Sequence, residues 1–363
     1  MSQILSRVAQ LVRAEAALNP IGIDAVFNKA IDAEVELGDA RLNLEQEIEL
    51  RRSAENQIFG LGKLQPLLEA EDIEEIWINS DSQVFVSERG LNRQIQLQFM
   101  PGELSGLIER MLRPVGRRLD RSSPFVDATL PGGSRLHVVI PDITRQNWSV
   151  NIRKFPKKIR TMDDLVSAGM VSPRQAEILG EAMRGQKNIL VSGATQAGKT
   201  TLLSALLDCA NRGDRIISVE ETFELRAPQV DWVAMQTRQP NLEGIGEVSL
   251  RRLIKEALRM RPTRLVVGEV REAEALDLLI ALNSGLPGIC TIHSNSAESA
   301  LLKLSTLPLL AGQNISMEFI KPAISSCIDY VVHCELLANG SRRIAEIRRL
   351  LPFDGSIRSE SLC

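Results

Sequence analysis

Residues 187–201 read KNILVSGATQAGKTT, and the order of these side chains decides the fold of the second half of the chain. Ile189, Leu190 and Val191 form an apolar run without polar alternation, the mark of a strand covered on both faces. The run enters Gly193-Ala194-Thr195-Gln196-Ala197-Gly198-Lys199-Thr200, a G-x4-G-K-T pattern, and then LLSALLDCA, which repeats at helical spacing. Strand, glycine-bounded loop and helix in this order form the setting in which the pattern cradles phosphates. The glycines let backbone N–H groups curl around an anion, and the start of the helix adds favourable potential. Lys199 is placed to reach the β- and γ-phosphates, and Thr200 to offer its hydroxyl to Mg²⁺. Residues 193–201, closing with Thr201, are therefore the expected nucleotide-binding set, and ATP with Mg²⁺ the expected ligands.

Outward from this loop, apolar strands and amphipathic helices alternate. Upstream, SPRQAEILGEAMRGQ places Ser172 to cap a helix, with Pro173 in its first turn. Downstream come the strand RIISVEE, the strand VDWVAMQ, a helix over 249–260, the strand TRLVVGEV, a helix over 272–283, the strand GICTIHS and a helix over 296–306. Such alternation predicts an α/β domain with a parallel sheet covered on both faces. Two last strands, near 329–337 and 342–351, are joined through Asn339-Gly340, a hairpin signal. Before residue 155 the apolar period is two: EIWIN, QVFVS, LNRQIQLQF, FVDATL, SRLHVVIP and WSVNIRKF read as six strands, with a helix over 103–112. The first sixty residues read as helical, from Ile4, Leu5, Val8, Leu11 and Val12 through a run from Asp24 and another over 42–59. The expected organisation is a helical appendage (1–60), a smaller α+β domain (62–155), a basic linker (156–171) and the α/β domain (172–363).

Composition narrows the partners. The chain has 43 basic and 46 acidic residues, a net charge of −3, and only 4% aromatic residues. Neutralising nucleic-acid phosphates calls for a basic excess and stacking on bases for aromatic platforms, so nucleic acid is not the expected partner. Five cysteines without CxxC spacing and three scattered histidines predict neither a zinc site nor a disulfide framework. The opening MSQILSRVAQLVRAE carries charges too early for a secretory signal, and no apolar run reaches the ~18–20 residues that span a bilayer. A cytoplasmic protein is expected.

Hydrolysis needs carboxylates near the terminal phosphate. RIISVEE ends in Glu220 and Glu221, with Glu224 just behind, and Leu265-Val266-Val267 runs through Gly268 into Glu269, with Arg271 beyond. Acids at the carboxyl ends of central parallel strands share the crevice into which the phosphate loop opens. Glu269 is the candidate general base or water-orienting group, Glu220 and Glu221 its helpers, and Thr200, Glu220 and Glu269 the candidate metal set. His293 ends the next strand, where it could sense the γ-phosphate.

The runs SGATQAGKTTLLSAL, VEETFELR, RQPNLEGIGEVSLRRLIKEALRMRPTRLVVGEVR and LDLLIALNSGLPGICTIHSNSAESAL, in that order, resemble the secretion and pilus ATPases of type II and type IV machinery. Within that superfamily the chain looks most similar to the tight-adherence (Tad/Flp, CpaF-like) pilus assembly ATPases. Their phosphate loop, acidic box, Walker B segment and His box correspond here to 193–200, 219–226, 265–269 and 291–296. The resemblance implies a RecA-like motor domain behind a PAS-like α+β domain, a homo-hexameric ring, and ATP held between the two domains. It also implies arginines from the first domain on the phosphates, for which Arg118, Arg135 and Arg153 are the candidates. The implied partner is a platform protein at the inner face of the cytoplasmic membrane, and the implied work is assembly or export of pilus subunits. Three features depart from the family pattern. Gln196-Ala197 stands where Gly-Ser is common, Glu221 stands where Asp is usual, and the loop GLPGIC before His293 is one residue shorter. Three other readings stay open at this point: a type IV secretion ATPase, a nucleotide-gated scaffold without sustained turnover, and a nucleic-acid motor.

Overall fold

A computed structural model describes residues 12, 23–37, 44–58, 60–155, 161–240 and 244–363. Most of the first expected helical run, from Ile4 to Leu11, lies outside them. The chain divides into two compact units, Met1–Lys154 and Phe155–Cys363.

In the first unit, helices Ile23–Leu37 and Leu44–Ile58 share a small core of Phe27, Ala30, Ile31 and Ala54. The six expected strands are present as β1 (Ile73–Ser80), β2 (Gln83–Glu88), β3 (Leu91–Ile95), β4 (Phe125–Thr129), β5 (Arg135–Val139) and β6 (Ser149–Arg153). They pair antiparallel in the order β3-β2-β1-β6-β5-β4. Alternation puts Ile76, Ile78, Val84, Val86, Leu136, Val138, Val150 and Ile152 on one face. Helix Glu103–Leu112 covers that face with Leu104, Leu107, Ile108 and Met111.

The second unit carries β7 (Ile189–Gly193), β8 (Ile216–Glu220), β9 (Trp232–Gln236), β10 (Arg264–Val270), β11 (Gly288–His293), β12 (Tyr330–Leu336), β13 (Arg342–Leu350) and β14 (Ser359–Ser361). They form one sheet in the order β14-β13-β12-β7-β11-β10-β8-β9. The pairs from β12 to β9 are parallel, and β13 and β14 extend the β12 edge antiparallel. The expected parallel sheet and tail hairpin are thus present. Both faces are buried, and the side-chain period of two splits the strands between two cores. Leu190, Ile217, Val219, Leu265, Val267, Cys290 and Ile292 pack against helices Leu250–Ala257, Glu274–Asn283, Ala297–Thr306 and Met317–Cys327. Ile189, Val191, Ile216, Val266 and Ile289 pack against Met162–Ser167, Pro173–Arg184 and Lys199–Cys209. Each fully buried aliphatic side chain contributes roughly 1.5–3 kcal/mol, so a one-residue slip of β7 is strongly opposed.

Helix Met162–Ser167 falls in the stretch read as linker. Thr161 and Asp164 close a capping box at its start, and Met162 and Leu165 are buried. No helical period stands out in that stretch because a helix of six residues completes hardly two turns. At the start of β7, Asn188 fixes the register of its neighbours. Its side-chain oxygen accepts the Gly288 N–H at 2.6 Å, and its own backbone N–H donates to Asp329 Oδ2 at 2.8 Å. The central strand is pinned at its base, and its carboxyl end carries the loop.

Candidate active site

Two glycines shape the turn out of β7. Gly193 has φ +153°, and a Cβ there would stand 2.5 Å from the Cys334 carbonyl oxygen on β12. Gly198 has φ +89°, and a Cβ there would stand 2.9 Å from Met170 Cε. Gly198 is also the N-cap of helix Lys199–Cys209, which has no side-chain cap. The N–H groups of that first turn are the ones a bound anion would satisfy. Gly193→Ala is expected to destabilise the protein by about 2–4 kcal/mol, since backbone must move to admit the methyl group. A shift in denaturant midpoint measures this, and an unchanged midpoint would contradict the close approach.

Lys199 is buried, and its Nζ donates to the carbonyls of Gly193 at 3.0 Å and Ala194 at 2.8 Å. The same Nζ lies 3.1 Å from His293 Nδ1. An ammonium can only donate, so Nδ1 accepts and the ring proton sits on Nε2. That Nε2 stands 2.7 Å from Glu269 Oε1, close but poorly aligned, so the contact is electrostatic more than a full hydrogen bond. The other Glu269 oxygen takes Arg271 Nη2 at 2.7 Å, and Arg271 Nη1 reaches Glu221 Oε2 at 2.6 Å. Lys199, His293, Glu269, Arg271 and Glu221 therefore form one line of contacts from the loop to the acidic strand ends.

Local backbone aims the members of this line. The ladder between β10 and β11 slips between Val267 and Val270, so Gly268 and Glu269 sit in an irregularity of the kind that re-aims side chains beside active sites. Thr291 donates to the Gly268 carbonyl at 2.6 Å and holds it there. Burial alone would raise the Glu269 carboxyl, but the His293 and Arg271 contacts outweigh it and hold the group at about 2. Glu269 is thus ionised throughout the physiological range.

Glu220 behaves differently. It is 2% exposed, and one oxygen accepts the N–H groups of Glu224 at 2.8 Å and Leu225 at 2.9 Å. Burial pushes it up to about 7, against the pull of those N–H groups. Glu220, a candidate for the metal set, shapes the loop after β8 through those two amides, and Glu224 Oε2 accepts from Thr200 Oγ1 at 3.2 Å. The two carboxylates have opposite effects on stability versus pH. Glu220 binds more protons folded than unfolded between about 4.5 and 7, so its contribution is present below that window and lost as pH rises through about 7. Glu269 contributes stability above about 4.5 that is lost as pH falls toward about 2. Glu220→Gln, which keeps an acceptor for both amides, is expected to remove a fall of about 2–3 kcal/mol in stability between pH 5 and 8. Denaturant titrations across that range, wild type against variant, check it; parallel curves would contradict it.

A cleft of about 480 Å³ opens beside the loop, lined by Ala194, Thr195, His293, Ser294, Asn295, Ser299 and Lys303. Lys303 donates to the His293 carbonyl at 3.1 Å and braces the end of β11. The structure thus brings together residues 193–201, Glu221, Glu224, Glu269, Arg271 and His293. The candidate arginines lie in the first unit. Arg135 and Arg153 are register partners on β5 and β6, Arg135 pairs with Asp127 at 3.3 Å, and Arg118 is exposed. Glu224 and Arg271 stand beside the motif residues in the sequence, which assigns neither a role. Their order in the chain was visible, but the curl of the loop after β8 and the bulge in β10 that aim them were not.

Among the described residues no cluster of three or more acidic, histidine or cysteine groups could hold a metal unaided. Mg²⁺ usually takes one or two protein oxygens and leaves the rest to phosphates and water, and Thr200 with Glu224 fits that pattern.

The family model described as type II/IV secretion system protein matches residues 59–344. A putative conjugal transfer protein of Mycobacterium tuberculosis is 33% identical over 316 residues, which cover 85% of this chain and 89% of the relative. The type IV secretion system protein PtlH of Bordetella pertussis is 33% identical over 313 residues, 78% of this chain and 92% of the relative. The solved structure of the ATPase DotB from Yersinia pseudotuberculosis shares the fold, with a TM-score of 0.57 at 16% identity over 80% of this chain and 78% of that one. With a match over most of its length and the motif residues gathered at the carboxyl ends of one parallel sheet, this chain belongs to the type II/IV secretion system protein family.

Proposed function

We propose that the chain is an Mg-ATP-driven motor of a type IV secretion or conjugal-transfer machine. The observation that carries the hydrolytic part is the line of contacts from Lys199 through His293 to Glu269, because it ties the phosphate-binding loop to a fixed carboxylate. A loop that only stored nucleotide would not need that link. Lys199 binds the β- and γ-phosphates, and the N–H groups of residues 194–200 hold the anion. Glu269, held ionised near 2, is a weak proton acceptor, so its role is to orient the attacking water and offset developing charge. His293 reports between the lysine and the carboxylate. Glu220 is a positioning residue, and Glu221 acts through Arg271. Mg²⁺, when held by Thr200 with Glu224 nearby, supplies positive charge against the terminal phosphates.

The resemblance read in the sequence favoured pilus-subunit assembly, with type IV secretion as its alternative. Relatives 33% identical over more than three-quarters of the chain bear names of conjugal transfer and type IV secretion, and they support the alternative over the first reading. Pilus assembly stays as a second reading on the strength of the ordered motif runs. Under either, we infer a homo-hexameric ring in which the first unit, as the PAS-like domain, brings Arg118, Arg135 or Arg153 to the phosphates. Arg135 and Arg153 are register partners on neighbouring strands, so both lie at one place on the sheet of the first unit. The motor would sit at the inner face of the membrane against a platform protein. No helix among the described residues is long and apolar enough to cross a membrane.

Steady-state phosphate release by the purified chain tests the enzyme, and its absence with intact nucleotide binding would favour a nucleotide-gated scaffold. Deleting the gene and scoring both substrate transfer and surface pili tests the machine. Loss of pili with transfer intact would overturn the transfer reading.

A further inference from the structure

Gln196, in the middle of the phosphate loop, has φ +62°. Glycine takes that left-handed conformation freely, whereas glutamine takes it at a cost. Its carbonyl oxygen accepts a hydrogen bond from Arg342 Nε at 2.7 Å, across 146 residues of sequence. Arg342 opens β13, which pairs with β12, which in turn pairs with β7, the strand that feeds the loop. The arginine stem runs along the loop as well. A Cβ built on Gly198 would meet Arg342 Cδ at 3.2 Å and Met170 Cε at 2.9 Å. Met170 is anchored by the same strand, since its carbonyl accepts the Ile344 N–H at 2.8 Å. One strand, β13, thus places both an arginine and a methionine against the outer side of the loop.

We propose that Arg342 is a positioning residue for nucleotide binding, whose guanidinium fixes the Gln196 carbonyl and keeps the loop in its left-handed turn where no glycine stands. This rests on the reading of residues 193–201 as the Mg-ATP site. A hydrogen bond from a charged donor outweighs a neutral one, which suits it to hold a strained peptide. Without it Gln196 relaxes toward negative φ, and the loop amides point at the anion only part of the time. Apparent affinity then falls in proportion to the competent fraction.

Calorimetric titration of the full chain with Mg-ADP, beside ATP turnover, tests the assignment. Arg342→Ala is expected to weaken Mg-ADP about 5- to 20-fold, while kcat at saturating ATP falls less than about 3-fold. Adding Gln196→Gly to Arg342→Ala is expected to recover most of the lost affinity, because glycine needs no clamp at that φ. A merely structural arginine would give no such recovery. If Arg342→Ala does not fold, Arg342→Lys replaces it in both arms, since lysine keeps the charge but loses the planar Nε donor. Wild-type protein that fails to bind Mg-ADP overturns the nucleotide site itself, and this assignment with it. Wild-type binding alongside an arginine variant that binds equally well, or a double variant without recovery, overturns the positioning role alone.

Discussion

Lys199→Ala protein is expected to stay folded and to lose ATP hydrolysis by about 10³-fold or more, the scale on which removal of a fixed cation acts in phosphoryl transfer. The ammonium is already fixed by the carbonyls of Gly193 and Ala194 and by His293. Little reorganisation is therefore left to do when charge builds on the transferring group, and such preorganised charge is worth most in a site closed to water. Folding should tolerate the change. The substitution empties a place at the loop and removes a buried cation whose desolvation opposed folding. Lys199→Arg should fail almost as completely, because a planar fork cannot occupy a pocket built for a point charge between two carbonyls. Phosphate release under saturating Mg-ATP, with thermal unfolding as the folding control, measures both variants. Turnover above about a tenth of wild type in Lys199→Ala would remove the lysine from the chemistry.

The fold and the centre of the site were legible to different depths, and the reason is the range of the forces involved. Residues 187–201 could be read directly because strand, loop and helix follow one another and the glycines mark the turn. The six strands of the first unit were legible for the same reason, each carrying its own period-two pattern. Glu220 was not. Nothing local distinguishes it from Glu221, yet one is 2% exposed and bound to two amides while the other reaches Arg271 at the surface. The room for the inward acid comes from Gly268 of the neighbouring strand, where a Cβ would stand 3.0 Å from Glu220 Cγ. Arg342 was further from reach still, since its tie to Gln196 exists only because the tail hairpin joins the sheet beside β7. Residues that act in sequence order show themselves in sequence, and residues that sheet order brings together do not.

Glu269→Gln separates binding from turnover. The amide keeps the shape of the carboxylate and one acceptor oxygen, so the loop at 193–201 and its affinity for Mg-ATP should change little. Turnover should fall by at least about 10²-fold, the lower end for losing the group that prepares the nucleophile. The charge is what the variant loses. At about 2 the wild-type carboxyl is ionised at every pH at which the enzyme can be assayed, because His293 and Arg271 offset the burial that would otherwise raise it. An acidic limb in the pH–rate profile above about pH 4 therefore has to come from another group, and it should survive in Glu269→Gln at a lower plateau. Glutamine also leaves Arg271 with Glu221 and Glu224 as its charged partners, so the guanidinium is expected to move toward those acids. Glu269→Asp discriminates further, since it restores charge but shortens the reach to His293, 2.7 Å away in the wild type. Partial recovery in Glu269→Asp would mark charge as the larger need, and none would mark placement. Nucleotide affinity by calorimetry and phosphate release on the same preparations decide the matter. Wild-type turnover in Glu269→Gln would withdraw Glu269 from the reaction and leave Glu221 and Glu224 as the carboxylates nearest the loop.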